Sequence, residues 1–196
     1  SMDLTVGLNA AGLLGGEYDA AIRIHGNTPI SPEREIPCRL TVTGVPDVGA
    51  MPGSIDFDSV YVGFPSTRQL IVQNRGSGVL NVVDMRVSDQ AYRVDRTSLT
   101  VPPLGNEAVS VSFVPASPGP ATATLTIQSN DPDTPARAVE LSGYALEPPD
   151  IQIHPSSIAA ALSIPSSTRR SLVLENAGGS NLVFAVTTLL TPPAVT

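Results

Sequence analysis

The stretch "LIVQNRGSGVLNV" at residues 70–82 returns at residues 172–184 as "LVLENAGGSNLVF". Leu70, Val72, Asn74, Gly76 and Leu80 match Leu172, Leu174, Asn176, Gly178 and Leu182, each pair 102 positions apart. A second match sets "AAIRIHGNTP" (20–29) against "ATLTIQSNDP" (123–132), 103 positions apart, and "LTVTG" ending at Gly44 parallels "VELSG" ending at Gly143. Self-similarity at a fixed period is the mark of a repeat architecture, so the chain must be built from units of about a hundred residues. The matches interlock. Residues 1–45 resemble the back half of the middle unit, residues 150–196 resemble its front half, and only residues 54–146 form a whole one.

Within that unit apolar residues alternate with Thr, Ser, Gln or Glu, as at Val109, Val111 and Phe113 or Ala123, Leu125 and Ile127, which is the pattern of half-buried strands. The expected strands are 55–62 (A), 69–74 (B), 79–87 (C), 91–94 (C′ or D), 98–101 with 108–114 (E), 121–128 (F) and 136–143 (G). With 19 Pro, 16 Gly, four Phe, four Tyr and no Trp among 196 residues, the core must come from Val, Ile, Leu and Ala, and the turns are many. Seven or so short antiparallel strands predict an all-β chain of immunoglobulin-like antiparallel β-sandwich repeats. "VPDVGAMPG" and "EPPD" read as linkers stiffened by proline.

The recurring Asn-x-Gly marks the corner after strand B. An Asn side chain bonds its own backbone two residues on, Gly at that position is expected to accept positive φ, and the Leu four residues later returns to the core. Asn74 with Gly76 and Asn176 with Gly178 are therefore structural turn residues, as are Asn130 and Pro132 in "SNDPDTP".

The residues that carry these corners resemble a known family. "IDF…VYVG…STRQLIVQNRGSGVLNV", followed by "VSVSFVPASPGPATATLTIQSNDPDTPARAVELSGYA", is similar to bacterial tandem immunoglobulin-like repeats of the ASH or Hydin-like group (choice-of-anchor type), relatives of the major sperm protein fold. The resemblance implies fold rather than activity, and an extracellular or cell-surface location. The N-terminal half departs from the pattern with "HGNTPISPERE", read as four residues longer than "QSNDPDTPA".

Chemistry is sparse. Formal charge is −7 and every one of the eleven cations is Arg without a basic run, so nucleic acid is not an expected partner. The longest apolar run is far shorter than the ~20 residues of a spanning helix. Cys38 stands alone and shares one face with Ile36, Leu40 and Val42, which predicts a buried structural thiol; His25 and His154 have no metal-ligand spacing. Asp131 and Asp133 are a weak calcium candidate lacking further acidic ligands, set against a turn in which Asn130 caps and Pro132 presets φ. Asp56 and Asp58 mark the solvent face of an edge strand. Nucleophile, zinc and nucleotide motifs are absent, so neither an enzyme nor a cofactor is expected.

The reading is a non-catalytic spacer, scaffold or adhesive stalk whose partner is a protein or a surface glycan. Alternatives are a carbohydrate-binding accessory region of a secreted hydrolase, for which Tyr61, Phe64 and Tyr92 are the candidate contacts, and a cytoskeletal or ciliary-type scaffold. Each half-repeat leaves unpaired strand edges beside an open apolar face, so the halves are expected to complete one another, B against E and C against F, within a chain or as a strand-exchanged homo-oligomer.

Overall fold

The alternation closes into two packed sheets. The structure, a computed structural model, describes residues 2–189. Ten-residue strands β1 (Gly16–His25) and β2 (Glu33–Val42) form a separate antiparallel pair. There follow β3 (Val48–Met51), β4 (Ser54–Tyr61), β5 (Ser66–Asn74), β6 (Leu80–Val87), β7 (Tyr92–Val94), β8 (Leu99–Val101), β9 (Asn106–Phe113), β10 (Gly119–Ser129) and β11 (Ala136–Leu146). A second separate pair is β12 (Ile151–His154) and β13 (Val173–Asn176). One sheet of the central sandwich runs β3-β5-β9-β7 and the other β4-β11-β10-β6-β8.

The inward side chains are those of the period-2 pattern. Leu70, Val72, Val109, Val111 and Phe113 from one sheet meet Leu80, Leu125, Ile127 and Val139 from the other, each with no measurable exposure. Full burial of such a side chain contributes about 1.5–3 kcal/mol, so the sandwich stabilises itself without a ligand. Phe57, Tyr92 and Phe113 form its aromatic centre, Tyr92 stacked on Phe113 with ring centroids 4.7 Å apart and Phe57 tilted at 5.7 Å from both. Gly143 sits where β11 and β4 slip register, because a Cβ there would lie 2.7 Å from the Phe113 ring.

Several expectations are corrected. "VPDVGAMPG" is not a free linker: Val48–Met51 is strand β3, paired antiparallel with β5, and Val48 and Ala50 are core residues. Apolar residues too few to show a period hid it from the sequence. Strand A is thus split between the sheets, and its second part, β4, pairs in parallel with β11, so the sandwich is not wholly antiparallel. Residues 99–101 do not belong to strand E; β8 pairs with β6, in the sheet opposite β9. Short β7 pairs with β9, which makes it D rather than C′.

The N-terminal loop is not four residues longer. Ile22 pairs with Ile36 as Leu125 pairs with Val139, so both loops, 26–32 and 129–135, are the same length, closed by Gly26 N–H to Pro32 O and Ser129 N–H to Pro135 O. The offset is 103 throughout, and Gly44 corresponds to Glu147, not Gly143. Residues 4–8 and 182–189 carry no strand. Cys38 is half-buried rather than buried, as are Leu40 and Val42 on the same face of the β1–β2 pair. Within this chain the two pairs stay separate sheets and do not complete each other.

Candidate functional site

One end of the central sandwich holds both the Asn-x-Gly corner and the "SNDP" loop. Asn74, the last residue of β5, is buried to 1% exposure. Its Oδ1 accepts the N–H of Gly76 at 3.1 Å and that of Asp47 at 3.3 Å. Its Nδ2 donates to Gly78 O at 2.7 Å and to Val101 O and Pro102 O at 3.1 Å each. One amide therefore ties together the chain entering β3, the turn after β5 and the end of β8. A buried amide so fully engaged is costly to lose, since each freed backbone partner keeps its desolvation penalty.

Gly76 is required for a reason other than the one expected. Its φ is not positive; instead the entering chain passes directly over it, and a Cβ would collide with Val45 O and lie 2.6 Å from Asp47 N. Arg75 N–H to Asp47 O and Ser77 N–H to Val45 O complete the seam. Gly15 N–H, from the chain before β1, donates to Ser77 O at 2.7 Å.

The same construction stands at the second Asn-x-Gly. Asn176 Oδ1 accepts Gly178 N–H at 3.1 Å and Asp150 N–H at 3.0 Å, and Nδ2 donates to Ser180 O at 2.7 Å. Gly178 lies under Pro148 O as Gly76 lies under Val45 O. Ser180 Oγ donates to Glu147 O. The sequence reading missed Asp47 and Asp150. Their signal is the dipeptide Pro46-Asp47, repeated 103 positions later as Pro149-Asp150.

The "SNDP" loop closes the same end. Asn130 does not cap its own turn: Oδ1 accepts Asn81 N–H at 2.7 Å and Nδ2 donates to Val79 O at 3.0 Å, stitching the loop to the exit of the corner. The cap is Asp131, 3% exposed, whose Oδ1 accepts the N–H groups of Asp133 and Thr134 and whose Oδ2 accepts Val48 N–H at 2.7 Å. Burial pushes its carboxyl up, but the three backbone donors from Val48, Thr134 and Asp133 outweigh this and hold it below the usual carboxylate range. Both oxygens thus have structural partners, whereas Asp133 and Pro132 are exposed. Among the described residues no three His, Cys, Asp or Glu side chains group to hold a metal ion.

The three aromatic candidates separate. Tyr61 and Phe64 are 40% and 59% exposed, their rings edge to face at 6.4 Å, at the opposite end of the sandwich beside Leu146. Tyr92 is not a contact residue: it is 1% exposed, its hydroxyl donates to Ala121 O at 2.9 Å, and burial, with Asp89 and Asp56, pushes its pKa up to about 12. "AYRV" alternates like any edge strand, and only packing shows that the ring points inward.

With this clamp in view, the ASH family (abnormal spindle-like microcephaly-associated, ASPM-SPD-2-Hydin) matches residues 42–135, a span that begins upstream of the clamped Asp47. Residues 42–135 are an ASH domain. ASH domains are non-catalytic interaction modules, and the structure extends this one through β11 to Leu146. Similar solved structures include the ASH/PapD-like domain 7 of human CEP192, 20% identical with a TM-score of 0.42 over 50% of this chain and 84% of that one. A protein of unknown function from Porphyromonas gingivalis W83 is 18% identical with a TM-score of 0.44 over 68% and 67%. WR4, an MSP family member of C. elegans, is 12% identical with a TM-score of 0.38 over 49% and 96%. No curated protein matches the chain. Among the described residues no helix is long and apolar enough to cross a membrane.

Proposed function

We propose that the chain is a non-catalytic spacer and scaffold in which ASH-type units follow one another through pinned joints, in a bacterial surface or secreted protein. The observation that carries this reading is the joint itself. Asp47 is bound to Asn74 and Asp150 to Asn176 by the same bonds, so the chain entering each unit is held at the Asn-x-Gly corner rather than left free. A series of such joints transmits direction from unit to unit, which is what a stalk needs and a flexible tether lacks.

The joint is testable in the full chain with an endoproteinase that cleaves before Asp. Asn176→Ala removes the acceptor for Asp150 N–H and the donor to Ser180 O. Losing about 1–2 kcal/mol of local stability raises the open fraction about 5- to 30-fold, and cleavage at Pro149–Asp150 is expected to rise by that factor. A parent chain cut there as fast as the variant would overturn the reading.

A second reading rests on Tyr61 and Phe64. An exposed edge-to-face pair at one end of the sandwich is a natural platform for a sugar ring or an apolar side chain of a partner. In that reading the domain presents a contact for a protein or surface glycan, as an accessory region of a secreted hydrolase would. Tyr61→Ala with Phe64→Ala is expected to change stability by less than about 0.5 kcal/mol while abolishing binding on a glycan array; retained glycan binding would exclude the pair.

A further inference from the structure

We infer that the two joints move differently: the one before the ASH domain is a fixed seam, and the one after it is a pivot between Leu146 and Glu147, so that the chain bends between β11 and β12. The inference rests on the pinned-joint reading and separates two joints that share the same pin.

At the first joint three segments cross on glycine. A Cβ on Gly15 would lie 2.8 Å from Gly44 N, one on Gly44 would collide with Ser77 O and lie 2.5 Å from Gly78 Cα, and one on Gly78 would lie 2.5 Å from Gly44 O. That closeness lets hydrogen bonds form across the crossing. Gly15 N–H donates to Ser77 O at 2.7 Å, Ser77 and Gly78 N–H both donate to Val45 O, at 2.8 and 3.0 Å, and Val45 N–H donates to Ser77 Oγ at 3.2 Å. The bond from Gly15, just before β1, ties the body of the preceding unit to the corner of the ASH domain, and not only the segment that leaves it.

The second joint is written in residues that forbid this crossing. At the repeat offsets of 103 and 102, Pro118 stands in place of Gly15, Glu147 of Gly44, Pro148 of Val45, Gly179 of Ser77 and Ser180 of Gly78. Gly119 pairs with Ala145 as Gly16 pairs with Val42, so the correspondence of Pro118 with Gly15 holds in the fold. Neither Pro118 nor Pro148 has an N–H to donate, and Gly179 has no hydroxyl to receive one. A side chain at position 147 excludes the close approach that Gly44 permits. The Glu147 side chain instead lies across Gly179, where a Cβ would come within 2.6 Å of Oε2. Among the described residues no backbone bond joins Gly179 or Ser180 N–H to Pro148 O, or the Pro118 loop to residues 176–180. What is kept is Asp150 N–H on Asn176, Ala177 N–H to Asp150 O at 2.8 Å, and Ser180 Oγ to Glu147 O.

All of the kept bonds hold the connecting segment to the unit that follows. Pro148 and Pro149 keep that segment extended, ~12 Å over its four residues at ~3.1 Å each, so it swings with the following unit as a stiff arm. Leu146 stays with the ASH domain, its carbonyl accepting Val62 N–H at 2.9 Å. Turning is therefore confined to the bonds between Leu146 and Glu147. Each seam bond absent from a joint raises its open fraction about 2- to 10-fold.

The test uses the full chain with Cys38→Ser and spin labels on cysteines introduced at exposed positions: Arg86→Cys in the ASH domain with Arg34→Cys in β2 for the first joint, and with Glu175→Cys in β13 for the second. Dipolar distance distributions are expected to be narrow for the 34/86 pair and at least about twice as broad for the 86/175 pair, as the raised open fraction requires. Rewriting the second joint with the residues of the first (Pro118→Gly, Glu147→Gly, Pro148→Val, Gly179→Ser and Ser180→Gly) is expected to narrow the 86/175 distribution to the width of the 34/86 one. Gly15→Pro with Gly44→Glu is expected to broaden the 34/86 distribution, with the near-ultraviolet signal of the Tyr92–Phe113 core unchanged in each variant. Equal widths in the parent would overturn the pivot. So would an 86/175 distribution that stays broad after rewriting, since that breadth would belong to the β12–β13 pair and not to the joint. Protection before Asp150 in a parent of equal widths would leave the pinned-joint reading standing; free cleavage there would sink both.

Discussion

Asn74→Ala is expected to destabilise the central domain by about 3–4 kcal/mol. The amide makes five bonds from a site of 1% exposure, and truncation leaves Gly78, Val101 and Pro102 carbonyls and the Asp47 and Gly76 N–H groups without it. Leaving a buried polar group unsatisfied costs ~1–3 kcal/mol, and part of the set recovers water. For a domain of this size, 1 kcal/mol corresponds to about 4–8 °C in Tm, so thermal unfolding followed by circular dichroism is expected to shift down by at least about 12 °C. Asn74→Asp, which keeps the acceptor and loses the donors, is expected to lose a comparable amount. A shift under about 4 °C for Asn74→Ala would mean that the corner is held by β3–β5 pairing alone.

Asp131→Ala is expected to cost about 3 kcal/mol at neutral pH. Its carboxylate holds three backbone N–H groups; a hydrogen bond to a charged group contributes ~1.5–3 kcal/mol net, and water that reaches the freed Asp133 and Thr134 N–H groups offsets part of the three. The effect carries a pH signature. The native carboxyl is held below its ordinary range, so its contribution is fully present above the unfolded-chain value of about 3.9 and is lost as pH falls through the lower native value. Parent and Asp131→Ala proteins are therefore expected to differ most above about pH 4–5 and to converge in stronger acid, as read by urea midpoints across pH. A difference that persists unchanged at low pH would show that the loop needs the side chain's volume and not its charge.

Both predictions fall on residues whose type was visible in the sequence and whose task was not. Asn74 and Gly76 stood out because they recur, and the Asn side chain does bond the N–H two residues on. Its other four partners come from the chain entering β3, the end of β8 with the residue after it, and the turn beyond β5, 4 to 28 positions away, and no local pattern encodes them. Gly76 was read through backbone freedom, the property a sequence advertises, yet the constraint is a neighbour 31 residues earlier passing within reach of its missing Cβ. In "SNDP" the roles of Asn130 and Asp131 are exchanged relative to the local reading, because the loop is held by β3 and the corner as well as by itself. Tyr92 was grouped with Tyr61 and Phe64 by composition and separated from them by packing.

The sequence by itself determined the all-β class, the strands with two or more alternating apolar residues, and the recurrence of strand and corner motifs at a spacing of about a hundred. It could do so because period-2 burial and recurring turns are local properties that survive without a fold. The tertiary structure alone decided that 48–51 is a strand, that strand A crosses between sheets to pair in parallel with β11, that the hairpin loops are equal in length, and that each entering segment is clamped to an Asn-x-Gly corner. These depend on which backbone lies against which, and a contact between residues 27 or 83 positions apart becomes readable only once the two sheets have been packed together.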